Sequence, residues 1–376
     1  MRGPAVQPIV IAAGGTGGHF FPAEALAREL LTRGHRIVLM TDARSGGLTS
    51  TVFTGHEQYV LSGSGIAGRG TARVAKSLFA LIRGAAQARR IFNRIGAAAV
   101  VGFGGYPSVP PALAALFAGH RISIVLHEQN AVMGRANRFL APRASVLALS
   151  FAATRLLPPN VRHEVTGNPV RSDIAALAQV PYGPPQERIN LLVLGGSLGA
   201  RVFSDVVPAA ITLLPEALRR RLSIVQQCRP EDLDRVCAAY AHAGIEAELS
   251  PFFPDVAARL AAAHLVIARV GASTVAELAV AARPAILVPL PGAIDDHQTA
   301  NAAALAEAGA AWVMPQPSFT AEALEERLIA LLNDPAALAA ASAAARTQAH
   351  ADSAAHLADL VEQIVSQTMN LARERI

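Results

Sequence analysis

The chain has 376 residues, of which 52% are hydrophobic and 16% are charged. It is too long for one compact core, and it has the size and composition of a globular enzyme with two domains. The formal net charge of +5 favours acidic ligands or surfaces, but it does not choose among nucleic acid, lipid headgroups and phosphorylated substrates.

The cysteines and the apolar runs indicate in which cellular compartment the protein lies. Cys228 and Cys237 form no CxxC motif or disulfide framework, which favours a reducing compartment. No apolar run reaches the ~20 residues that span a bilayer, because charged side chains interrupt the richest stretch, 256–293. The N-terminus runs directly into a predicted strand, without the apolar region of a signal peptide. We therefore expect a cytoplasmic protein.

Strand-like runs alternate with helical patterns from one end of the chain to the other. The predicted strands are 9–12, 36–41, 98–101, 123–126, 146–149, 191–194, 222–226, 264–268 and 285–288. Such alternation is typical of parallel sheets with helices on both faces. The sequence therefore predicts the α/β class, with two Rossmann-like domains, each a doubly wound parallel sheet, facing each other across a cleft.

Proline and glycine mark the boundary between the two domains. They cluster at 167–169 and 181–185, and the second series of strands begins at Ile189. Residues 352–373 carry apolar side chains at helical spacing, which predicts a helix that packs back on the first domain. The predicted parts are a first domain, 1–166, a linker, 167–188, a second domain, 189–350, and a C-terminal helix, 351–376.

Two glycine-rich turns lie about half the chain length apart, at 14–19 and 195–200. Each follows a predicted buried strand and opens a predicted helix. Such a turn brings backbone N–H groups and the positive end of a helix to a ligand, so each is a candidate anion site. Neither has the G-x-G-x-x-G order of a dinucleotide fingerprint or the sequence of a P-loop, which disfavours NAD and ATP. A simple tight turn between strand and helix remains the alternative.

Seven short motifs occur in a fixed order. They are GGTGGHFFP at 14–22, GGY at 104–106, HEQNA at 127–131, TGNPVR at 166–171, GGSLGAR at 195–201, GASTVAE at 271–277 and DHQTANA at 296–302. The set closely resembles the MurG family of bacterial peptidoglycan glycosyltransferases over nearly the whole chain. The resemblance implies the GT-B fold and an inverting transfer of N-acetylglucosamine from UDP-N-acetylglucosamine to the 4-hydroxyl of the muramyl sugar of undecaprenyl-linked muramyl-pentapeptide (lipid I), which gives lipid II.

The resemblance also implies which domain binds which substrate. The first domain would take the acceptor and the membrane, and the second would take the UDP-sugar. Expected acceptor-binding residues are Gly14, Gly15, His19, Tyr106 and Asn130. Expected donor-binding residues are Thr16, Gly17, Gly18, Asn130, Arg171, Ser197, Phe253, Ala272, Ser273, Thr274, Val275, Ala276, Glu277 and Gln298.

Partners and location follow from the same resemblance. The expected partners are UDP-N-acetylglucosamine, lipid I, an anionic membrane surface and other cell-wall synthesis proteins. No cofactor, metal or nucleic acid is expected. The protein would lie peripherally on the cytoplasmic face of the inner membrane.

Two residues are candidates for the catalytic base. His19 follows the first glycine turn, where a helix N-terminus disfavours imidazolium and keeps the ring neutral, as a base near pH 7 requires. Its alternative role is to cap the helix. Glu128 is the second candidate, and neither the residues nor the resemblance chooses between them.

Two acidic positions in the second domain have competing interpretations. Thr274 and Glu277 have the spacing of a capping box, whereas the resemblance assigns Glu277 to the ribose diol of uridine, which a carboxylate can bind through both oxygens. Asp295, Asp296 and His297 look like part of a metal cluster, but without a further ligand at suitable spacing an N-cap by Asp296 explains them better.

Basic residues form a stripe between Glu57 and Glu128, a segment without any acidic residue. If this segment is helical, the stripe covers about 100° and suits anionic headgroups, although a solvated face is the alternative. The expected membrane residues are Arg69, Arg73, Lys76, Phe79, Arg83, Arg90, Ile91 and Arg94. The apolar residues expected on the opposite side are Val74, Leu78, Leu81, Ile82 and Phe92.

Three positions depart from the family pattern. Val270 stands where serine is common, Leu198 replaces a frequent glutamine, and Cys228 lies in a Gln-Cys-Arg that varies the more usual Gln-Thr/Ser-Gly. Two other functions remain open: a UDP-sugar 2-epimerase of the same architecture, and a UDP-sugar sensor that binds without catalysis.

Overall fold

Parallel strands alternate with helices throughout the computed structural model, which describes residues 7–15, 17–43, 50–62, 71–196 and 199–373, with the side chains of 71–75 and 371–373 left out. The strands in these ranges are β1 (Ile9–Ala12), β2 (Ile37–Asp42), β3 (Glu57–Leu61), β4 (Ala99–Gly102), β5 (Ser123–Glu128), β6 (Val146–Leu149), β7 (His163–Val165), β8 (Ile189–Leu194), β9 (Leu222–Gln227), β10 (Ala247–Ser250), β11 (Leu265–Ala268), β12 (Ala285–Leu287) and β13 (Ala311–Val313).

Helices occupy most of the connections between these strands. In the same ranges they are α1 (Gly17–Thr32), α2 (Thr71–Ile95), α3 (Gly105–Leu116), α4 (Arg135–Leu140), α5 (Ser172–Ala175), α6 (Arg201–Leu213), α7 (Glu216–Arg219), α8 (Leu233–His242), α9 (Val256–Ala262), α10 (Ala272–Val280), α11 (His297–Glu307), α12 (Ala321–Leu332), α13 (Pro335–Thr347) and α14 (Ser353–Arg373).

The chain divides into two compact units. One comprises Met1–Arg171 together with Asp352–Ile376, and the other comprises Ser172–Ala351. The segment 167–188, predicted as a linker, is therefore divided between the two units.

The first unit is built on a parallel sheet of seven described strands in the order β3-β2-β1-β4-β5-β6-β7. The order reverses between β1 and β4, and ligands of doubly wound sheets bind at the carboxyl ends of the strands at such a switch point. Ala12 lies opposite Gly102 in the register of these two strands. The chain that follows β1 and the chain that follows β4 therefore leave the sheet side by side.

The second unit repeats this plan. Its described strands form a parallel sheet in the order β10-β9-β8-β11-β12-β13, with the switch point between β8 and β11. Leu194 lies opposite Ala268, so the second glycine turn and the segment before α10 emerge together. The predicted α/β class with two doubly wound parallel sheets is confirmed.

The buried core of the first unit covers both faces of its sheet. One face carries α1 and α14, and the other carries α2, α3 and α4. On the first face, Leu357, Leu360 and Val361 of α14 are buried together with the apolar side of α1. Arg33 at the end of α1 forms ion pairs with Asp359 and Glu362. The C-terminal helix is thus part of the first unit.

The middle of helix α2 packs through small residues. It runs unbroken through Gly84, where an added Cβ would lie 2.5 Å from the carbonyl oxygen of Ser62, and its buried face also contains Ser77 and Ala88. Large side chains do not fit this close contact. Of the residues predicted opposite the basic stripe, Leu78 and Ile82 are 54% and 59% exposed, whereas Phe92 is buried.

Phe79 and Ile91 were both predicted to contact the membrane beside the basic stripe. For Ile91 this prediction is wrong. Ile91 is buried at the carboxyl end of α2, in the core beneath the sheet.

In the described ranges no single helix is long and apolar enough to cross a membrane, while one bent pair, Ala321–Leu332 with Pro335–Thr347, passes that test by length and composition only.

Candidate active site

The first site lies at the switch point of the first sheet. Gly15, with a φ of 85°, leads into α1, which begins at Gly17, and His19 lies half-buried in the first turn. A positive φ of this kind costs glycine least. Thr16, an expected donor-binding residue, lies outside the described residues. The turn thus presents a helix N-terminus and one imidazole at the end of the sheet where ligands bind.

Contacts on both sides orient the His19 ring. Its Nδ1 atom lies 3.0 Å from Oε1 of Gln129, which follows β5. Gly104, the N-cap of α3, and Gly105, its first residue, lie against the ring, and a Cβ on Gly105 would be 3.6 Å from Nε2. Glycine at these two positions keeps side chains away from this part of the ring.

Glu128 is buried, and both oxygens of its carboxylate accept hydrogen bonds. Its Oε1 accepts hydrogen bonds from the backbone N–H and the side-chain amide of Asn130, at 3.0 and 3.3 Å. Its Oε2 accepts from the backbone N–H of Gly134 and from the amide of Asn137, both at 2.9 Å. An ionised carboxylate has about four acceptor positions. Glu128 therefore uses its acceptors to hold the loop between β5 and α4, and accepting a proton would break one of these bonds.

His127 is fully buried next to this loop. Its Nε2 lies 3.0 Å from the carbonyl oxygen of Gly167, and its Nδ1 lies 2.9 Å from the amide nitrogen of Gln129. The pKa of His127 is lowered from 6.5 to about 4, chiefly by burial; the hydrogen bond to Gly167 opposes this shift and nearby His19 adds to it. His127 is therefore neutral in the folded protein near pH 7.

This buried histidine should make the stability of the protein depend on pH. Between about pH 4 and 6.5 the unfolded chain binds a proton at His127 that the folded chain does not, so the free energy of unfolding rises with pH in that window and this contribution is constant above it. The contribution is on the order of 3 kcal/mol.

Urea unfolding at a series of pH values measures this effect. The free energy of unfolding should fall more steeply below pH 6.5 for the wild type than for His127→Gln. Exposed His242→Gln serves as the control and should follow the wild type. Parallel curves for the wild type and His127→Gln would contradict the assignment.

Other predicted acceptor and donor residues lie around the same switch point. Tyr106 is half-buried in the first turn of α3, and the guanidinium of Arg171 stacks over the ring of Phe21 in α1, 5.3 Å from its centroid. Asn130 lies in the loop that Glu128 holds. The first unit therefore brings together, at the carboxyl ends of its strands, the described residues Gly14, Gly15, Gly17, Gly18, His19, Tyr106, Glu128, Asn130 and Arg171.

The second glycine turn follows β8. Ser197 and Leu198 lie outside the described residues, but Gly195, Gly196 and Gly199 are described. A Cβ on Gly195 would lie 2.4 Å from the backbone nitrogen of Ala200, so only glycine fits. The side-chain amide of Gln227 accepts a hydrogen bond from the N–H of Gly195 and donates one to the carbonyl of Gly196. Gln227 thus fixes the shape of this turn from the neighbouring strand.

Helix α10 begins earlier than the capping box requires. Its N-cap is Gly271 and its first residue is Ala272, so Thr274 lies inside the helix and Glu277 lies beyond the first turn. The capping-box interpretation of Glu277 is wrong for this reason. The half-buried positions of the helix are Ser273, Thr274, Ala276 and Glu277, whereas Ala272 and Val275 are buried.

The side chain of Gln298 bridges the segments that follow β11 and β12. Its Oε1 accepts hydrogen bonds from the backbone N–H groups of Val270 and Leu290, at 3.3 and 2.9 Å. Buried Asn301 donates to the carbonyl of Val270 at 3.1 Å. The backbone of Val270 is therefore fixed from both sides while its side chain is buried, which explains how the chain accommodates valine here.

Asp296 occupies the N-cap position of α11, which begins at His297. Its carboxylate accepts from the hydroxyl of Thr299 at 2.8 Å, and no side-chain capping bond to a backbone N–H is formed. Among the described residues, no three His, Cys, Asp or Glu side chains come together as a metal site.

Two further positions of the second unit are buried. Phe253 is buried under the guanidinium of Arg259, 4.0 Å from its ring centroid. The Cys228 thiol lies 3.4 Å from the hydroxyl of Ser204, and burial raises its pKa. The following Arg229 lies against Gly199, where a Cβ would be 3.0 Å from its Cγ.

Sequence reasoning did not assign a role to Gln129, Gln227 or Asn301, although each lies in or next to a motif. A usable signal existed for Gln129, because residues two apart at a strand end share one face and His127 precedes it by two. Gln227 and Asn301 act through backbone groups of distant segments, which no local pattern reveals.

The comparisons with known proteins agree with this geometry. The glycosyltransferase family 28 N-terminal domain matches residues 9–148, and the family 28 C-terminal domain matches residues 190–357. Two doubly wound parallel sheets, each with a glycine turn at its switch point, together with these matches define a glycosyltransferase of the GT-B fold.

Relatives narrow the class further. The UDP-N-acetylglucosamine–N-acetylmuramyl-(pentapeptide) pyrophosphoryl-undecaprenol N-acetylglucosamine transferase of Granulibacter bethesdensis is 60% identical over 364 residues, which cover 96% of this chain and 95% of that protein. The transferase of the same description from Acidiphilium cryptum is 54% identical, covering 98% and 99%. The crystal structure of MurG from Acinetobacter baumannii has a TM-score of 0.77 and 32% identity, covering 95% and 99%. The chain belongs to the MurG family within glycosyltransferase family 28.

Proposed function

We propose that the protein transfers N-acetylglucosamine from UDP-N-acetylglucosamine to the 4-hydroxyl of the muramyl sugar of lipid I, giving lipid II for peptidoglycan synthesis. The observation that carries the mechanism is the orientation of His19, whose Nδ1 is bound to Gln129 and whose Nε2 lies on the side of Gly105, a residue without a side chain. The full-length relatives described as this transferase support the substrates.

The chemistry is a single displacement. His19 Nε2 accepts the proton of the acceptor hydroxyl as its oxygen forms a bond to the anomeric carbon of the donor. The bond from that carbon to the diphosphate breaks at the same time, and UDP leaves with the electron pair. Attack from the side opposite the leaving group inverts the anomeric configuration.

His19 is a better base than Glu128. Four donors already occupy the Glu128 carboxylate, which is 2% exposed, so taking up a proton would leave a donor unpaired in the interior. His19 is half-buried, and its Nε2 lies beside Gly105, which carries no side-chain donor. Glu128 then acts by holding the loop that carries Asn130.

The second unit supplies the donor site in this proposal. The N-terminus of α10 has a glycine N-cap with no side-chain capping bond, and such a terminus suits the leaving diphosphate. Gln298 uses its oxygen to hold two strand ends, so its amide nitrogen is the group that can donate to a sugar hydroxyl. Glu277 would bind the ribose diol.

A Glu277→Gln variant tests the ribose assignment. Loss of the charged acceptor should raise the KM for UDP-N-acetylglucosamine about 10-fold, because a hydrogen bond to a charged group contributes about 1.5–3 kcal/mol. Preference for the donor over its 2′-deoxyribose analogue should fall as well. Steady-state kinetics with both donors measure this, and Glu326→Gln, the same change at an exposed position of α12, is the control. Unchanged discrimination would show that Glu277 does not bind the diol.

Helix α2 would hold the first unit on the membrane. Lys76, Arg83 and Arg90 are exposed and seven residues apart, so they follow one line along the helix. Phe79, next to this line, is 67% exposed, and Leu78 and Ile82, farther around the helix, are exposed as well, so the exposed side of α2 carries both cations and apolar side chains. A surface that combines cations with exposed apolar residues suits anionic headgroups at the bilayer interface.

The other predicted basic residues contribute differently. Arg94 donates a hydrogen bond to the hydroxyl of Tyr59 at 2.8 Å and stacks over its ring, so it is held against β3. Arg69 lies outside the described residues, and so does the side chain of Arg73. The proposed membrane face therefore consists of Lys76, Leu78, Phe79, Ile82, Arg83 and Arg90.

Product analysis separates the proposed transfer from the alternatives. With UDP-N-acetylglucosamine alone, the purified protein should leave the sugar unchanged, and with a lipid I analogue it should release UDP and form a disaccharide lipid. Conversion of the donor to its 2-epimer would identify an epimerase. Tight UDP binding without transfer would identify a sensor.

A further inference from the structure

A chain of buried side chains connects His19 to the backbone of the loop after β7. The carbonyl of Gly167, the His127 ring, the Gln129 amide and the His19 ring follow one another, with contacts of 3.0, 2.9 and 3.0 Å. His127 and Gln129 are buried, whereas His19 is half-buried at the end that faces solvent. We define these three side chains and the Gly167 carbonyl as the ring chain.

Every hydrogen bond of the ring chain has one possible direction. A carbonyl oxygen only accepts, so Nε2 of His127 carries a hydrogen, and the ring, neutral because it is buried, has its lone pair on Nδ1. The Gln129 group facing it must therefore be the NH₂. The same nitrogen also lies 3.1 Å from the carbonyl oxygen of His127, which again requires a donor. Both observations orient the amide in the same way.

The orientation of the amide decides the tautomer of His19. With the NH₂ of Gln129 facing His127, its Oε1 faces Nδ1 of His19 and can only accept. Nδ1 of His19 therefore carries the hydrogen, and the lone pair lies on Nε2, on the side of Gly105. A ring free to exchange tautomers would spend part of its time with the lone pair on the wrong nitrogen.

We propose that Gln129, anchored by His127 and the Gly167 carbonyl, is the positioning residue that fixes His19 in the tautomer with a bare Nε2 and so prepares it to act as a base. The inference rests on the proposed role of His19 in the transfer reaction. Gln129 acts through a neutral amide, so it fixes direction without adding the negative charge that a carboxylate partner would bring.

The same arrangement allows the ring chain to take up only one additional proton. When His19 takes up the proton of the acceptor hydroxyl, Nδ1 keeps its hydrogen bond to Gln129 and no bond of the ring chain has to reverse. His127 stays neutral, since the charge on His19 further disfavours a second positive charge. The captured proton therefore remains at the solvent-facing end, from which it can return to solvent after each turnover.

Nitrogen NMR of the full-length wild-type protein tests the tautomer directly. With ¹⁵N-labelled histidine at a pH above 8, long-range proton–nitrogen correlations distinguish a bare ring nitrogen from a protonated one, and His19→Ala identifies the His19 signals. The result expected is a bare Nε2 and a protonated Nδ1. A bare Nδ1, or an average of both tautomers, would overturn the proposal.

A double-mutant cycle tests the consequence for turnover. Gln129→Leu should lower kcat roughly 10- to 100-fold and change the KM for UDP-N-acetylglucosamine less than about 2-fold, since the base is misoriented but the donor site is intact. In a His19→Ala background the same change should have almost no effect on kcat, because no ring remains to be oriented. Equal losses in both backgrounds would show that Gln129 serves only the fold.

Two more variants complete the cycle. Gln129→Glu keeps an oxygen facing His19 in either protonation state, so it should retain more activity than Gln129→Leu, and equal loss would count against the proposal. Asn137→Leu removes hydrogen bonds from the same loop but leaves the ring chain, so its effect should be the same in both backgrounds.

The same measurements distinguish the role of His19 as the base from the role of Gln129 in positioning it. A near-normal kcat for His19→Ala would refute the proposed base itself. A large loss for His19→Ala with a normal kcat for Gln129→Leu would refute only the positioning role.

Discussion

Replacing His19 by alanine should lower kcat about 10²- to 10⁴-fold while the KM for UDP-N-acetylglucosamine stays within about 2-fold of the wild-type value. A general base helps only in the transition state, so its loss removes rate rather than ground-state binding. Steady-state kinetics with a soluble lipid I analogue measure both constants.

The fold gives this experiment a matched control. His35 lies beyond the other end of α1, 2.6 Å from Glu362 of α14 and away from the glycine turn. His35→Ala should leave kcat unchanged even if it lowers thermal stability. A kcat for His19→Ala within 5-fold of the wild type would contradict the assignment of the base.

The second large effect concerns the membrane. Changing Lys76, Arg83 and Arg90 to glutamate should weaken binding to vesicles of anionic lipid by at least about 100-fold, because each cation near the surface contributes roughly 1 kcal/mol and each replacement adds repulsion. Vesicle sedimentation at a series of salt concentrations measures the affinity, which should fall steeply with salt for the wild type. Turnover of lipid I embedded in the vesicles should slow in parallel.

Activity on a soluble short-chain acceptor distinguishes membrane binding from damage to the site. It should survive in the triple variant, because the three side chains lie on the exposed face of α2. Glutamate at three exposed arginines of the second unit, Arg188, Arg220 and Arg327, changes the net charge equally and should leave vesicle binding near the wild-type value. Equal loss of activity with both acceptors, or unchanged vesicle binding, would contradict the proposed face.

Strands buried on both faces could be predicted from the sequence, and the strands at the sheet edges could not. β1, β4 and β11 are continuous apolar runs and are fully buried. β3 and β7, at the two edges of the first sheet, are largely exposed and have polar residues. An exposed edge strand lacks the apolar run that marks a strand in the sequence.

Helix α2 shows where periodicity fails. The charged stripe was predicted correctly as a helical pattern, but the apolar residues predicted on its opposite side do not share one environment. Leu78 and Ile82 are exposed, whereas Phe92 is buried, and so is Ile91, which was predicted to contact the membrane. Only the packing partner reveals which face is buried.

The position of the candidate base could be predicted, whereas its orientation could not. A glycine turn before a helix places His19 at the strand ends by local rules. The direction of its ring depends on Gln129 and on Gly167, which are distant in the sequence and meet only in the folded first unit. The capping box at Thr274 failed for the opposite reason, since a local pattern was present but α10 had already begun at Ala272.

The configuration of the bond that the protein forms tests the proposed displacement most directly. Purified protein is incubated with UDP-N-acetylglucosamine and a lipid I analogue in buffer without added metal, and the product is characterised by proton NMR. The expected product is a single disaccharide joined to the 4-hydroxyl of the muramyl sugar, with the donor's α configuration inverted to β and one UDP released per bond. Retention of the α configuration, or consumption of the donor without a new glycosidic bond, would contradict a single displacement assisted by His19.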